Sequence, residues 1–240
     1  MACLKEIILV LSIHLTQVYP MMYWHSKAFS RALSYFISLF FLSACEYSEP
    51  TQMTWNEFYC RDNGDPAERM ILYRAKVPFG WVRENSTESV QDSKRPICSF
   101  LLGEASDSVY LTIHTFIYTS FDQRIPPTAQ IARWKRQFED LDLSTLMIEP
   151  RAHGGFTGLS FYACGKFKAK ETTVIGYAMQ LAPQHWMTLQ NDSKDSLKQK
   201  QMSADYTLKA IGSPLAVAKY KEEIDLFANS FELIDEVPTR

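Results

Sequence analysis

From about residue 70 onward the apolar positions repeat mostly with period two, the mark of half-buried strands. Met70–Val77 is such a run, and it stops at Pro78-Phe79-Gly80-Trp81, a turn flanked by aromatics. Ile97–Leu102 and Val109–Thr119 read as a hairpin around Gly103–Ser108. In the second run Val109, Leu111, Ile113, Thr115 and Ile117 share one face, and Tyr110, Thr112, His114, Phe116 and Tyr118 share the other. Both faces are largely apolar, so the strand is expected to be covered on both sides. Leu146–Arg151 and Phe156–Cys164 flank Gly154-Gly155, a tight-turn signal, and form a second predicted hairpin. Glu171–Leu181 and Ala204–Ile211 are further strands; Trp186–Leu189 reads as an extension of the sheet, and 190–203 as a charged loop.

The period changes twice. After Pro126-Pro127, Ile131, Trp134, Phe138 and Leu141 form one stripe of a predicted helix over 127–141, whose other face carries Arg133, Lys135 and Arg136. Ser213-Pro214 is a helix start, with serine as N-cap and proline at the first helical position. Val217, Tyr220, Ile224 and Phe227 make its stripe, and Phe231, Leu233 and Ile234 close the domain. Six or seven strands joined by hairpin-like connections, with two amphipathic helices far apart in sequence, predict an α+β fold. The helices would flank a mainly antiparallel sheet as an α/β/α sandwich.

The first 45 residues follow other rules. His25, Lys27 and Arg31 precede the apolar run Ala32–Leu42. As a helix those eleven residues span about 17 Å, against about 30 Å of bilayer hydrocarbon, so they are too few to cross a membrane. A basic flank, a short apolar stretch and then small residues are the parts of a secretory signal peptide. Leu42-Ser43-Ala44-Cys45 resembles the lipobox of bacterial lipoproteins. That resemblance implies cleavage before Cys45 and acyl chains on its thiol, palmitate-type chains among them. Glu46 is not the aspartate associated with inner-membrane retention, so the outer membrane is favoured over the inner. Residues 7–13 are a second apolar run closed by Pro20, which a signal peptide does not need; a true start at Met21 or Met22 removes it. The expected organisation is a signal peptide at 1–44, a lipidated N-terminus and polar tether at 45–69 with an Asn63-Gly64-Asp65-Pro66 turn, and one globular domain at 70–240.

Composition narrows the function classes. The chain is 46% hydrophobic and 22% charged, which excludes a disordered protein. Three of 25 basic and one of 27 acidic residues lie in the first 45, leaving 46–240 at about −4, with no electrostatic footprint for nucleic acid. The nine glycines fall below the usual share of about 7% and leave little for a phosphate-binding loop. After Cys45 there remain Cys60, Cys98 and Cys164, which permit one disulfide and one thiol in an oxidising compartment. Without a Cys-x-x-Cys pair, buried free thiols are the expected state of Cys98 and Cys164, and Cys60 in the tether is the reactive one.

The histidines after Cys45 are His114, His153 and His185, at spacings that match no local metal motif. Gly158-Leu159-Ser160 lacks the second glycine of a nucleophile elbow and lies in a strand pattern. Asp140/Asp142 and Glu222/Glu223 read as solvated acidic pairs, at helix ends or on exposed faces. No catalytic, cofactor or metal residue is assigned; Cys45 is the one site residue, for lipid attachment.

Lys76-Val-Pro-Phe-Gly-Trp81 after the first strand resembles the opening turn of PsbP/Mog1-like domains, and Ala204–Ile211 with the helix over Ser213–Phe231 resembles their last strand-and-helix unit. The resemblance covers roughly residues 70–234. It implies a non-enzymatic binding or assembly module; with the lipobox reading, the expectation is a module held to the membrane through Cys45 that binds an envelope protein or a small ligand. The alternative is a secreted lipoprotein hydrolase with a dispersed Ser/His/Asp site, because such triads are defined by geometry and not by sequence order.

Overall fold

The computed structural model describes residues 51–59, 70–84, 96–104, 107–191 and 197–235. The expected signal peptide at 1–44, Cys45, Cys60, the expected turn at 63–66 and residues 85–95 lie outside the described residues.

Seven strands make the main sheet: β3 (Val82–Glu84), β4 (Cys98–Leu102), β5 (Val109–Phe116), β6 (Asp140–His153), β7 (Phe156–Phe167), β8 (Lys170–Leu181) and β9 (Asp205–Gly212). Their spatial order is β3-β4-β5-β9-β8-β7-β6, and every neighbouring pair is antiparallel. A second antiparallel sheet holds β1 (Met53–Tyr59), β2 (Ile71–Pro78) and β10 (Glu232–Leu233), with β2 in the middle. The helices are α1 (Pro127–Lys135), α2 (Pro183–Asn191), α3 (Leu197–Met202) and α4 (Pro214–Ser230), with a 3₁₀ turn at Phe121–Gln123. The mainly antiparallel α+β architecture is as the periodicity predicts.

The two faces of the main sheet are covered differently, and strand parity explains how. Val174 and Ala178 of β8 point to α1 and join Ile131, Trp134, Phe138, Phe161 and Ala163 in one apolar cluster. Gly176 lies between them because nothing larger fits: a Cβ there would come 2.3 Å from Trp134 Cζ3. Ile175, Tyr177, Met179 and Leu181 point the other way, into a larger cluster with α4 and the small sheet. In that cluster Phe231 stacks on Tyr73 at 5.2 Å between centroids, and Phe100 meets Phe227 edge-on at 5.6 Å.

Several expectations are corrected. The stretch 45–69, expected as a tether, contains β1, whose Phe58 is 0% exposed and packs against Phe100, Phe227 and Phe231. The helix expected over 127–141 ends at Lys135; Phe138 keeps its place in the cluster from a turn, and Leu141 packs there from β6. Asp140 and Asp142 therefore lie on a strand and not at a helix end. Trp186–Leu189 is helical, within α2, where Trp186 and Leu189 share the buried face. Pro183 at the first helical position was the available signal. The loop expected at 190–203 includes α3, whose Leu-Lys-Gln-Lys-Gln-Met run is made of good helix formers. On β5 only one face is sealed: Val109, Leu111 and Ile113 are buried, whereas Tyr110 is exposed and Thr112, His114 and Phe116 are half-buried.

Candidate functional site

A groove runs between α4 and the outer part of the main sheet, and the β6–β7 hairpin builds it. Gly154 and Gly155 take φ of +54° and +81°, the left-handed backbone a two-residue hairpin turn requires. That turn sets the register His153↔Phe156, from which Met147 faces Tyr162 and Glu149 faces Ser160. β7 passes the register on, so Tyr162 neighbours Ile175 and Ser160 neighbours Tyr177. All these side chains share the sheet face on which α4 packs. α4 packs on β8, and β7 and β6 continue the sheet beyond β8 as a shelf. Lys221 and Asp225, one turn apart on α4, form the opposite wall.

The groove is polar and internally paired. Tyr177, buried in its floor, donates a short hydrogen bond to Asp225 Oδ1. Burial and the Asp225 carboxylate push the Tyr177 phenol far above its ordinary range, so it remains a donor. Lys221 Nζ lies 3.6 Å from Asp225 Oδ2, and Arg151 Nη2 lies 2.6 Å from Glu149 Oε2. Arg151 Nε also donates to Ser160 Oγ at 3.2 Å. Both ion pairs are partly exposed, so a partner's charges exchange with them at a cost of about 1 kcal/mol or less. The enclosed volume is about 40 Å³, room for one or two waters but not for a metabolite.

β6 forms the outer rim and the edge of the sheet. Its ladder to β7 breaks between Asp142 and Met147, where side chains replace the backbone bonds. Asp142 Oδ1 accepts from Ser144 N at 2.9 Å and from Ser144 Oγ at 2.6 Å, and Thr145 Oγ1 accepts from Cys164 N at 2.9 Å. The Ser144 bonds hold the Asp142 carboxyl below its ordinary range. Leu143, Met147 and Ile148 are exposed along this strand. Pro150 removes one donor from the free edge, as edge strands tolerate.

A second polar centre was not legible in the sequence, because its partners stand 81 residues apart. Arg124 and Asp205 are both buried and form a two-pronged ion pair, Nη2 to Oδ1 at 2.5 Å and Nε to Oδ2 at 3.0 Å. Arg124 Nη2 also donates to Leu181 O at 2.7 Å, and Leu181 N donates to Asp205 Oδ1 at 3.1 Å. Burial raises the Asp205 carboxyl above its ordinary range, and the Arg124 guanidinium offsets only part of that rise. The guanidinium also lies over the rings of Phe121 and Trp186, 5.3 and 5.9 Å from their centroids. A cavity of about 20 Å³ beside Asp205 holds one water at most. The arrangement clamps the 3₁₀ turn onto the ends of β8 and β9.

The structure separates some sequence candidates and brings others together. His114 faces Arg133 and Lys209 on the α1 side, and burial followed by those two cations lowers its pKa. His153 and His185 flank the Gly154-Gly155 turn. His153 Nε2 shares a 2.7 Å hydrogen bond with Tyr206 Oη, and a Cβ at Gly155 would come 3.1 Å from His185 Nδ1. His185 lies on α2 and not at a strand start. Ser160 is engaged by Arg151 Nε and donates to Glu149 O. Glu223, read as solvated, accepts from Trp81 Nε1 at 2.8 Å and is half-buried. Cys98 is buried and its thiol is pushed up to about 11 by burial; Cys164 is half-buried, with Sγ 3.1 Å from Thr173 Oγ1. Arg133 and Arg136 of the basic helix face are exposed.

No family model matches the chain, and no curated protein matches it in sequence. Among solved structures it is similar to LpqN of Mycobacterium tuberculosis, described as involved in cell envelope biogenesis. The two share 12% identity over 78% of this chain and 87% of that one, with a TM-score of 0.43. It is also similar to PsbP of the cyanobacterium Synechocystis sp. PCC 6803, at 12% identity over 79% of this chain and 97% of that one, with a TM-score of 0.45. The α+β class rests on the sheet topology itself.

Proposed function

We propose that this protein is a lipid-anchored component of a bacterial cell envelope, favouring the outer membrane, whose domain works by binding a protein partner and not by catalysis. The observation that carries the reading is Leu42-Ser43-Ala44-Cys45 behind a basic flank and a short apolar run. A diacylglycerol on Cys45 holds the chain at the bilayer, where a single fatty chain would give only about 10⁴ M⁻¹ of binding. The groove beside α4 favours a macromolecule over a small ligand. It encloses too little space for a metabolite, while the shelf offers an open strand edge, exposed Leu143 and Met147, and two exchangeable ion pairs. An extended segment of a partner laid along β6 meets backbone donors and acceptors on one side and the groove's charges on the other.

The intact mass of protein taken from envelopes of a lipoprotein-processing host tests the anchor. The expected mass is that of a chain beginning at Cys45 plus acyl groups, and Cys45→Ser is expected to leave the precursor unprocessed at this position. An unmodified chain beginning at Met1, Met21 or Met22 would refute the anchor. For the binding surface, a photo-crosslinking residue at Met147 should capture a discrete envelope protein that the same residue at Arg136, the C-cap of α1 across the sheet, does not. Identical products from both positions would refute the shelf as the binding face.

A further inference from the structure

We infer that the Phe79-Gly80 turn, with the Trp55 and Lys76 face beside it, is a second membrane contact that lies against the bilayer carrying the anchor. The inference rests on the reading of Cys45 as lipidated. Phe79 is 82% exposed at the tip of the turn after β2. Gly80 takes φ +90°, and among the described residues nothing lies within 4 Å of where its Cβ would be, so the turn projects away from the described core. A single exposed phenylalanine is ordinary on a protein surface. Its position is what distinguishes this one.

Phe79 N donates to Gln52 O at 2.8 Å, which ties the exposed ring directly to the point where the chain enters the domain. Gln52 is only seven residue steps from Cys45, with six residues between them. At about 3.3–3.6 Å per residue those steps reach no more than about 25 Å when fully extended. A lipidated Cys45 therefore keeps the bilayer surface within that distance of Phe79, whatever path the connecting residues take. The opposite edge of the main sheet has no such covalent restraint.

The neighbouring chemistry suits a headgroup layer. Trp55 pairs with Lys76 across β1 and β2 and is 51% exposed. Arg74 and Lys76 lie over its indole, with Arg74 Cζ 4.9 Å and Lys76 Nζ 5.4 Å from the ring centroid; Arg74 is also paired with Glu232 at 2.7 Å, a surface ion pair that a phosphate can replace at little cost. An indole flanked by cations on long aliphatic stems is the pairing that settles at a lipid–water boundary, ring towards the acyl chains and charge towards phosphate. Val82, just after the turn, is also exposed. The anchor limits how far this end of the domain can stray, and Phe79 with Trp55 turns that limit into an orientation. The small sheet faces lipid, and the β6 shelf at the far edge of the main sheet is left free.

The test uses the mature protein purified from envelopes, its acyl mass verified, in vesicles of phosphatidylethanolamine and phosphatidylglycerol with or without bromine near the headgroup end of the acyl chains. Tryptophans 55, 81, 134 and 186 give the background signal. Phe79→Trp is expected to lose roughly twice as much fluorescence to bromine as the parent protein, as a ring about 5–10 Å into the boundary would. Trp55→Phe should lower the parent's quenching. Leu143→Trp, on the far edge strand, should add an unquenched signal. A lipidated Phe79→Trp protein quenched no more than its parent overturns the contact and leaves the anchor standing; equal quenching at positions 79 and 143 overturns it too. A chain without acyl mass overturns the anchor and this inference with it. Should the turn be protected in native envelopes but unquenched in pure lipid vesicles, it belongs to a protein partner and the inference fails.

Discussion

Gly176 and Trp134 show how little slack there is at single positions. The indole occupies the space a side chain would take on β8, so the glycine is required by packing and not by a turn. Trp134→Ala should cost about 3–5 kcal/mol as a core truncation, and Gly176→Ala about 1–3 kcal/mol by overpacking. In the double variant the new methyl enters the space the indole has left. The two losses should then sum to less than their separate values in urea unfolding, and strict additivity would place the residues out of contact. Lys209 offers a test of charge. It donates to Gln137 Oε1 at 2.6 Å, and burial, with Arg133 nearby, lowers its pKa from 10.5 to about 8. Between those values the unfolded chain keeps a proton that the folded protein has released, so stability rises with pH across the window. Relative to Lys209→Met, the parent should gain stability from about pH 8 to 10.5; a flat difference would show that the amine is not desolvated. Both positions are unremarkable in sequence. The glycine reads as a strand interruption and the lysine as surface charge, because neither neighbour is local.

At the scale of elements, legibility followed the length of the periodic run. β5, β7, β8 and β9 were readable because eight or more residues hold one period. α4 was readable from its cap as well as its stripe. Ser213 Oγ accepts from Ala216 N at 3.1 Å and donates to Asp107 Oδ1 at 2.6 Å, so one side chain both starts the helix and ties it to the β4–β5 connection. Ser213→Ala should cost about 1 kcal/mol in chemical denaturation, and Ser213→Asn, which caps equally well, should recover most of it. No loss in the alanine variant would mean that the cap is not formed. α2 and the end of α1 were misread for one reason: a short apolar run fits a strand and a helix alike. Trp186–Leu189 fills one turn of helix as well as it would a strand. Phe138 and Leu141 continue the helical spacing of α1 only because a turn and a strand deliver them to the same cluster.

Across the whole molecule, the decisive piece is the small sheet. β2 is held between β1 and β10, strands from near the two ends of the described domain, so residues 53–59 complete a layer that residues 232–233 also need. A chain beginning at residue 70 should fail to fold or aggregate, since it leaves β2 as an open edge and empties the site of Phe58. A chain beginning at residue 51 should fold. Phe58→Ala in the longer chain should cost about 3–5 kcal/mol, whereas a residue in a true tether would cost under about 0.5 kcal/mol. Comparing the two starting points by circular dichroism, and the substitution by urea midpoint, checks the assignment. β1 was missed because Trp55, Glu57 and Tyr59 face solvent and Phe58 is the strand's one fully buried residue, too little alternation to stand out within a polar stretch.

The sequence alone determined the α+β class, the strands that hold their period longest and the start of α4, and it alone motivates the proposed lipid anchor, since each depends on residues that are neighbours along the chain. Hydrophobic period, caps and cleavage signals are local physics. Tertiary structure alone decided that the sheet is two sheets, that Arg124 meets Asp205, that His153 and His185 flank one turn, and that Phe79 stands beside the point where the chain enters the domain. Those facts depend on which strand pairs with which across tens of residues. The energy that chooses among pairings comes from burying side chains in one shared interior, a property that no stretch of sequence carries by itself.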